Sequence, residues 1–126
     1  MAVRKAVDAV GLRAAVAEIL PWLAGGDAPP RTTLAAAVRL SLRTLEHIAP
    51  GHAVEVRVPP FAAVQCVQGP RHTRGTPPNV IEMDSRTWLE LATGRLMWED
   101  AVGGARVSAS GARADLSELL PILRFD

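Results

Sequence analysis

The amino-acid sequence predicts an α+β domain in which a mostly antiparallel sheet of four to five strands is covered on one face by helices. Three observations predict it. Val54, Val56 and Val58 alternate with Glu55 and Arg57, the period-two pattern of a strand with one buried and one wetter face. Leu34, Val38, Leu42, Leu45 and Ala49 recur at helical spacing, with Arg39, Arg43 and Glu46 opposite them. Residues 79–123 then read as strand, short helix, short helix, strand and final helix, and the rest of the chain serves to support this stretch.

In order along the chain, Leu12, Val16, Ile19, Leu20 and Leu23 define a first amphipathic helix over about residues 8–23, whose regular part is expected to stop near Pro21. The stretch AGGDAPP, residues 24–30, has the composition of a connector and is too short to separate independent domains. Thr32 or Thr33 is expected to cap the second helix, which Pro50 and Gly51 close. The strand over residues 53–58 ends at Pro59 and Pro60, which have no N–H to donate to a ladder. Residues 61–67 are apolar at nearly every position, the composition of an interior strand. After the polar loop 69–78, Val80, Ile81 and Met83 supply a brief apolar run.

Asp84 or Ser85 is placed to cap a short helix that carries Trp88, Leu91 and Ala92 on one face and ends at Gly94. Trp98, Ala101 and Val102 make a second short helix, with Glu99 and Asp100 at its favourable N-terminal end and Gly103 and Gly104 at its stop. Val107 and Ala109 alternate with Arg106, Ser108 and Ser110 as a last strand. Leu116, Leu119, Leu120 and Leu123 form the stripe of a closing helix, which Pro121 kinks or ends.

A chain of 126 residues fits one domain, residues 1–126, that buries about two-thirds of its unfolded surface. A net charge of +1 supplies no overall electrostatic pull toward nucleic acid or an acidic membrane. The basic charge comes from thirteen Arg and one Lys, a skew that coding bias explains without function. Cys66 is the sole cysteine, so an intrachain disulfide is excluded and a reducing compartment is the simpler expectation. Asp8, Arg13 and Glu18 interrupt the apolar segment a signal peptide needs, and no run approaches the length of a membrane span. A cytoplasmic protein without stable membrane insertion is expected.

No glycine-rich phosphate loop, nucleophile elbow or dinucleotide fingerprint occurs, and no His, Cys or carboxylate pair has zinc-ligand spacing. Catalytic residues, metal and cofactors are therefore all read as none. Cys66 sits in an apolar strand, where a free thiol behaves as a small hydrophobe; acting as a nucleophile would require a base such as His72 to lower its pKa. Glu99 and Asp100 are adjacent and so point about 100 degrees apart on a helix, unable to face one another across a substrate. The loop GPRHTRGTPP offers Arg71, His72 and Arg74, which either contact an anion or lipid headgroup or form a solvated hairpin tip. Trp88 and Trp98 either pack in the core or wall a pocket.

The run from Asp84 through Leu91–Gly94, the acidic mini-helix with Ala101, the small-residue strand and Gly111 before a Leu-rich segment together resemble the C-terminal half of the sterol-carrier-protein (SCP-2-like) fold. With VEVRVPPF at 54–61 and GPRHTRGTPPN at 69–79, the resemblance is closer still to a bacterial family of sterol-carrier orthologues, over roughly residues 31–123. It implies noncatalytic binding or carriage of a lipid or other hydrophobic small molecule in an apolar cavity between sheet and helices. The pattern nominates Phe61, Trp88, Leu91, Leu96, Trp98, Leu119 and Leu123 as walls and Arg71, His72 and Arg74 as the mouth. The chain departs from the eukaryotic carriers in ending Arg124, Phe125 and Asp126 without a peroxisomal signal, and in Ala112 where an acid is common. Two rivals stay open: a homo-oligomeric interaction module, for example a homodimer, with a filled core, and an accessory domain in bacterial thiol metabolism, since an SCP-like domain is also appended to mycothiol-dependent isomerases.

Overall fold

In a computed structural model of the chain, residues 8–69 and 78–125 are described. Two helices, α1 (Ala9–Leu23) and α2 (Arg31–Ile48), precede a strand pair, β1 (Val54–Val58) and β2 (Ala62–Cys66). Strand β3 (Asn79–Met83), the short helices α3 (Ser85–Ala92) and α4 (Trp98–Gly103), and strand β4 (Val107–Ser110) follow. The four strands form one sheet in the order β2-β1-β3-β4, so the fold is α+β with a mixed sheet and helices packed against it.

The pairings β1–β2 and β3–β4 are antiparallel, whereas the central pair β1–β3 is parallel. The parallel pair follows from placement: β3 enters beside β1 rather than beside β2, after the chain has already reversed once. Val54, Val56 and Val58 are buried, and Ile81 lies across from Val56 in register. The opposite face carries Glu55, Arg57, Gln65 and Glu82, as the alternation in the sequence requires. The apolar face meets Val38, Leu42 and Leu45 of α2 and Trp88, Leu89 and Leu91 of α3 in one core, with α1 packed on α2.

Several expectations are corrected. Residues 62–66 are an edge strand, apolar because α2 covers one of its faces. Helix α1 does not stop at Pro21 but continues to Leu23. Proline deletes one hydrogen bond there, while the carbonyls of Trp22 and Leu23 are taken up at 3.4 Å by the Arg86 guanidinium, which also stacks 5.0 Å from the Trp22 ring. Pro30, not Thr32 or Thr33, occupies the N-cap of α2, and no side chain caps it. Ala109 is exposed in β4. Asp84 does cap α3, accepting a hydrogen bond from the Thr87 N–H at 2.7 Å. Gly94, at φ 78, takes the left-handed conformation just beyond that helix.

The closing helix is absent. Residues 112–125 form turns and extended chain, with the Leu119 N–H bonded to the Leu116 carbonyl at 2.9 Å and the N–H groups of Ile122 and Leu123 bonded to the Ala92 carbonyl at 2.8 and 3.0 Å. Only four residues separate Leu116 from Pro121, too few to repay helix nucleation before the missing donor. Leu116 is nonetheless fully buried and anchors the segment.

Asn79 fastens the sheet to this segment. Its buried side-chain amide donates to the Ala53 carbonyl at 2.8 Å and accepts from the Arg113 N–H at 2.9 Å. Asn79→Ala strands both partners, and urea denaturation is expected to show a loss of about 2–4 kcal/mol with little change in slope. A loss below about 0.5 kcal/mol contradicts the clamp.

Candidate functional site

Three recesses formed by described residues border the domain. The first, of about 530 Å³, lies between the end of α2 and the C-terminal segment, and is lined by Ala49, Pro50, Val67, Gln68, Asp115, Ser117, Glu118 and Leu119. Its shape follows from a tight turn. The Val67 N–H donates to the Ala49 carbonyl at 2.7 Å, and the Val67 carbonyl accepts from the Ala53 N–H at 3.0 Å. These two bonds hold Val67 at φ 65, a strained backbone conformation for a β-branched side chain. Gly51 passes so close that a Cβ there would collide with the Val67 carbonyl.

The second recess, of about 210 Å³, lies under the same segment at the end of α3. Leu91, Leu96, Met97, Trp98, Leu120 and Pro121 wall it, with Glu99 and Arg124 beside them. Ser117 lines both recesses, which therefore adjoin across a single residue of the C-terminal segment. The third, of about 280 Å³, is at the β1–β2 turn and takes in Arg57, Pro59, Pro60, Phe61 and Glu82.

The nominated wall residues are thus distributed. Leu91, Leu96 and Trp98 converge in the second recess, Leu119 lines the first, and Phe61 lies in the third, where Arg31 stacks 5.4 Å from its ring. Trp88 is fully buried, its indole Nε1 donating to Ser41 Oγ at 2.8 Å. Leu123 packs against the core and hydrogen-bonds to Ala92. Arg71, His72 and Arg74 lie outside the described residues. Sequence reasoning did not nominate Ala49, Pro50, Val67, Gln68, Asp115, Ser117 or Glu118, which line the first recess; only the Pro50-Gly51 turn signal beside the apolar 61–67 stretch pointed toward them.

Cys66 is buried, and that burial, with the negative charge of Glu46 adding to it, pushes its thiol up to about 11. It is protonated and shielded at neutral pH, the reverse of an activated nucleophile. Among the described residues no group of three or more His, Cys, Asp or Glu is arranged to hold a metal, and no helix is long and apolar enough to cross a membrane.

Fold and recesses together define a one-faced α+β domain with ligand-sized space along its C-terminal segment. The family model described as bacterial SCP ortholog matches residues 30–122, and the chain belongs to that family. Membership associates it, in general terms, with lipid-carrier-like function. No curated protein matches the chain.

Because folding raises the Cys66 pKa from 9.0 to about 11, the folded state favours the neutral thiol; the resulting stabilisation is complete below pH 9 and is lost as pH rises toward 11. Relative to Cys66→Ala, the unmodified protein is expected to lose about 2–3 kcal/mol of stability over that interval. Parallel urea curves for the two proteins at every pH would contradict this.

Proposed function

We propose that the domain binds and carries a lipid or other hydrophobic small molecule without chemistry, the guest lying along the C-terminal segment in the two recesses that meet at Ser117. The observation that carries the reading is this adjacency. A space of about 530 Å³ opens beside a more enclosed pocket walled by Leu91, Leu96 and Trp98, and ligand sites commonly span about 300–1,000 Å³ with mostly apolar walls. Family membership supports the same reading. Burial of an alkyl chain there is driven by about 25 cal/mol per Å² of apolar surface removed from water.

Carriage needs reversible entry, and the segment between the recesses is suited to it. From Ser117 to Phe125 it has neither helix nor strand, and it is tied down by separate bonds: Ile122 and Leu123 to Ala92, and the Arg13 guanidinium to the Arg124 carbonyl at 3.3 Å. Arg13 also stacks 4.4 Å from the Phe125 ring. Such local attachments open at lower cost than the cooperative sheet.

A second reading, an assembly module, is favoured by Met97 and Val102, which expose 62% and 45% of their surface on and beside α4. One experiment separates the two. Titration with the neutral, environment-sensitive dye N-phenyl-1-naphthylamine is expected to give saturable uptake. Ser117→Trp, which fills the junction, weakens that uptake by about tenfold or more while leaving the circular dichroism spectrum and melting unchanged. Absence of uptake together with a stable dimer in light scattering would sink the carrier reading in favour of assembly.

A further inference from the structure

We propose that the larger recess selects guests by the charge of their polar end, taking an ammonium-bearing amphiphile in preference to one that ends in a carboxylate. This rests on the carrier reading above, since the cavity provides for a guest and its rim specifies which. Asp115 and Glu118 stand at the rim, both solvent-exposed, and neither belongs to an ion pair among the described residues. Among the described residues that line it, none is basic. The Arg113 guanidinium donates to the carbonyl of the lining residue Gln68 at 3.2 Å and keeps its charge, so it offsets one of the two carboxylates and the described rim stays net negative.

The opposite wall adds charge of the same sign. Ala49 and Pro50 are the exit of α2, an 18-residue helix, whose C-terminal carbonyl end carries partial negative charge. Glu46, on the last turn of that helix, extends its field to Cys66, immediately before Val67 in the recess wall. The walls between are Ala49, Val67 and Leu119, apolar surfaces suited to an alkyl chain. An apolar trough with negative potential at its mouth repels a carboxylate and attracts an ammonium, and does so against the small positive net charge of the whole chain.

The test is competition for the neutral dye by decan-1-ol, decylamine and decanoate, at pH 8 and low ionic strength, where the amine remains charged. Two carboxylates and a helix end acting in a water-like dielectric are expected to favour the amine over the acid by about tenfold, with the alcohol between. Asp115→Asn with Glu118→Gln is expected to reduce that ratio to about threefold or less, as is 0.5 M salt. Asn at position 115 keeps the side-chain oxygen that accepts the Ser117 N–H at 2.8 Å, so the turn is preserved. If the alcohol competes but the amine is no better than the acid, charge selection is wrong and carriage stands. If an amine preference survives the double substitution, it arises elsewhere and the proposal fails. If even the alcohol does not compete, both readings fall together.

Discussion

One buried polar contact organises this domain: the Trp88 indole donates to Ser41 Oγ at 2.8 Å, and the Ser41 hydroxyl donates in turn to the Ala37 carbonyl at 2.6 Å. Trp88 is the bulkiest fully buried side chain, and its N–H would be a serious cost in an apolar core without a partner. Meeting that need fixes α3 against α2 at one spot. The sheet has a single apolar face, and both helices must lie on it. With Trp88, Leu42, Leu45, Leu89 and Ile81 filling the interval between them, the recesses among the described residues fall at the margins. Two of them lie along the C-terminal segment, the described stretch past Ser110, where no regular element imposes close packing, and the third lies at the β1–β2 turn.

Much of the fold was legible because it is written in local patterns. The VEVRV alternation survives unchanged as buried and half-buried positions, and Asp84 three residues ahead of Thr87 caps α3 by contacts within one turn. What escaped depends on partners far away in sequence. Proline 21 reads as a stop, yet α1 runs past it because Arg86, more than sixty residues later, takes its last carbonyls. The Leu116–Leu123 stripe reads as a helix; tertiary bonds to Ala92 offer its backbone an alternative, and Pro121 weakens the helical competitor. Strand direction was likewise hidden. Whether β3 lies beside β1 or β2 decides parallel from antiparallel, and the alternation within 79–83 does not reveal that choice; the Asn79 bond to Ala53 that favours β1 is a contact between distant residues.

The candidate site shows the same division. Leu91, Leu96 and Trp98 converge because eight residues of chain around the Gly94 turn bring them together, a local event that helical spacing reveals. The larger recess joins the end of α2, the residue after β2 and a turn near residue 117, three segments that no periodicity links. Its most distinctive feature, Val67 held at positive φ, runs against the residue's intrinsic preference and so leaves no trace in composition. Strain of this kind is maintained only where surrounding bonds over-determine it, as the Ala49 and Ala53 contacts do here.

The environment of Cys66 argues against its use as a nucleophile. A catalytic group needs a pKa near the working pH and access to a substrate; the Cys66 thiol is displaced toward about 11 by burial and is sealed from solvent. Elsewhere, polar side chains hold the frame: Asn79 bridges Ala53 and Arg113, and Glu90 pairs with both Arg86 and Arg106. Asp115 and Glu118 line the first recess without an ionic partner among the described residues, as Glu99 does the second and Glu82 the third. Exposed carboxylates contribute little to folding, so on the proposed carrier reading their charge would be available at the mouth to a guest's polar end while its apolar body is buried. Under that reading, apolar walls would supply affinity and rim charge discrimination, and no buried charge would be stranded when a guest leaves.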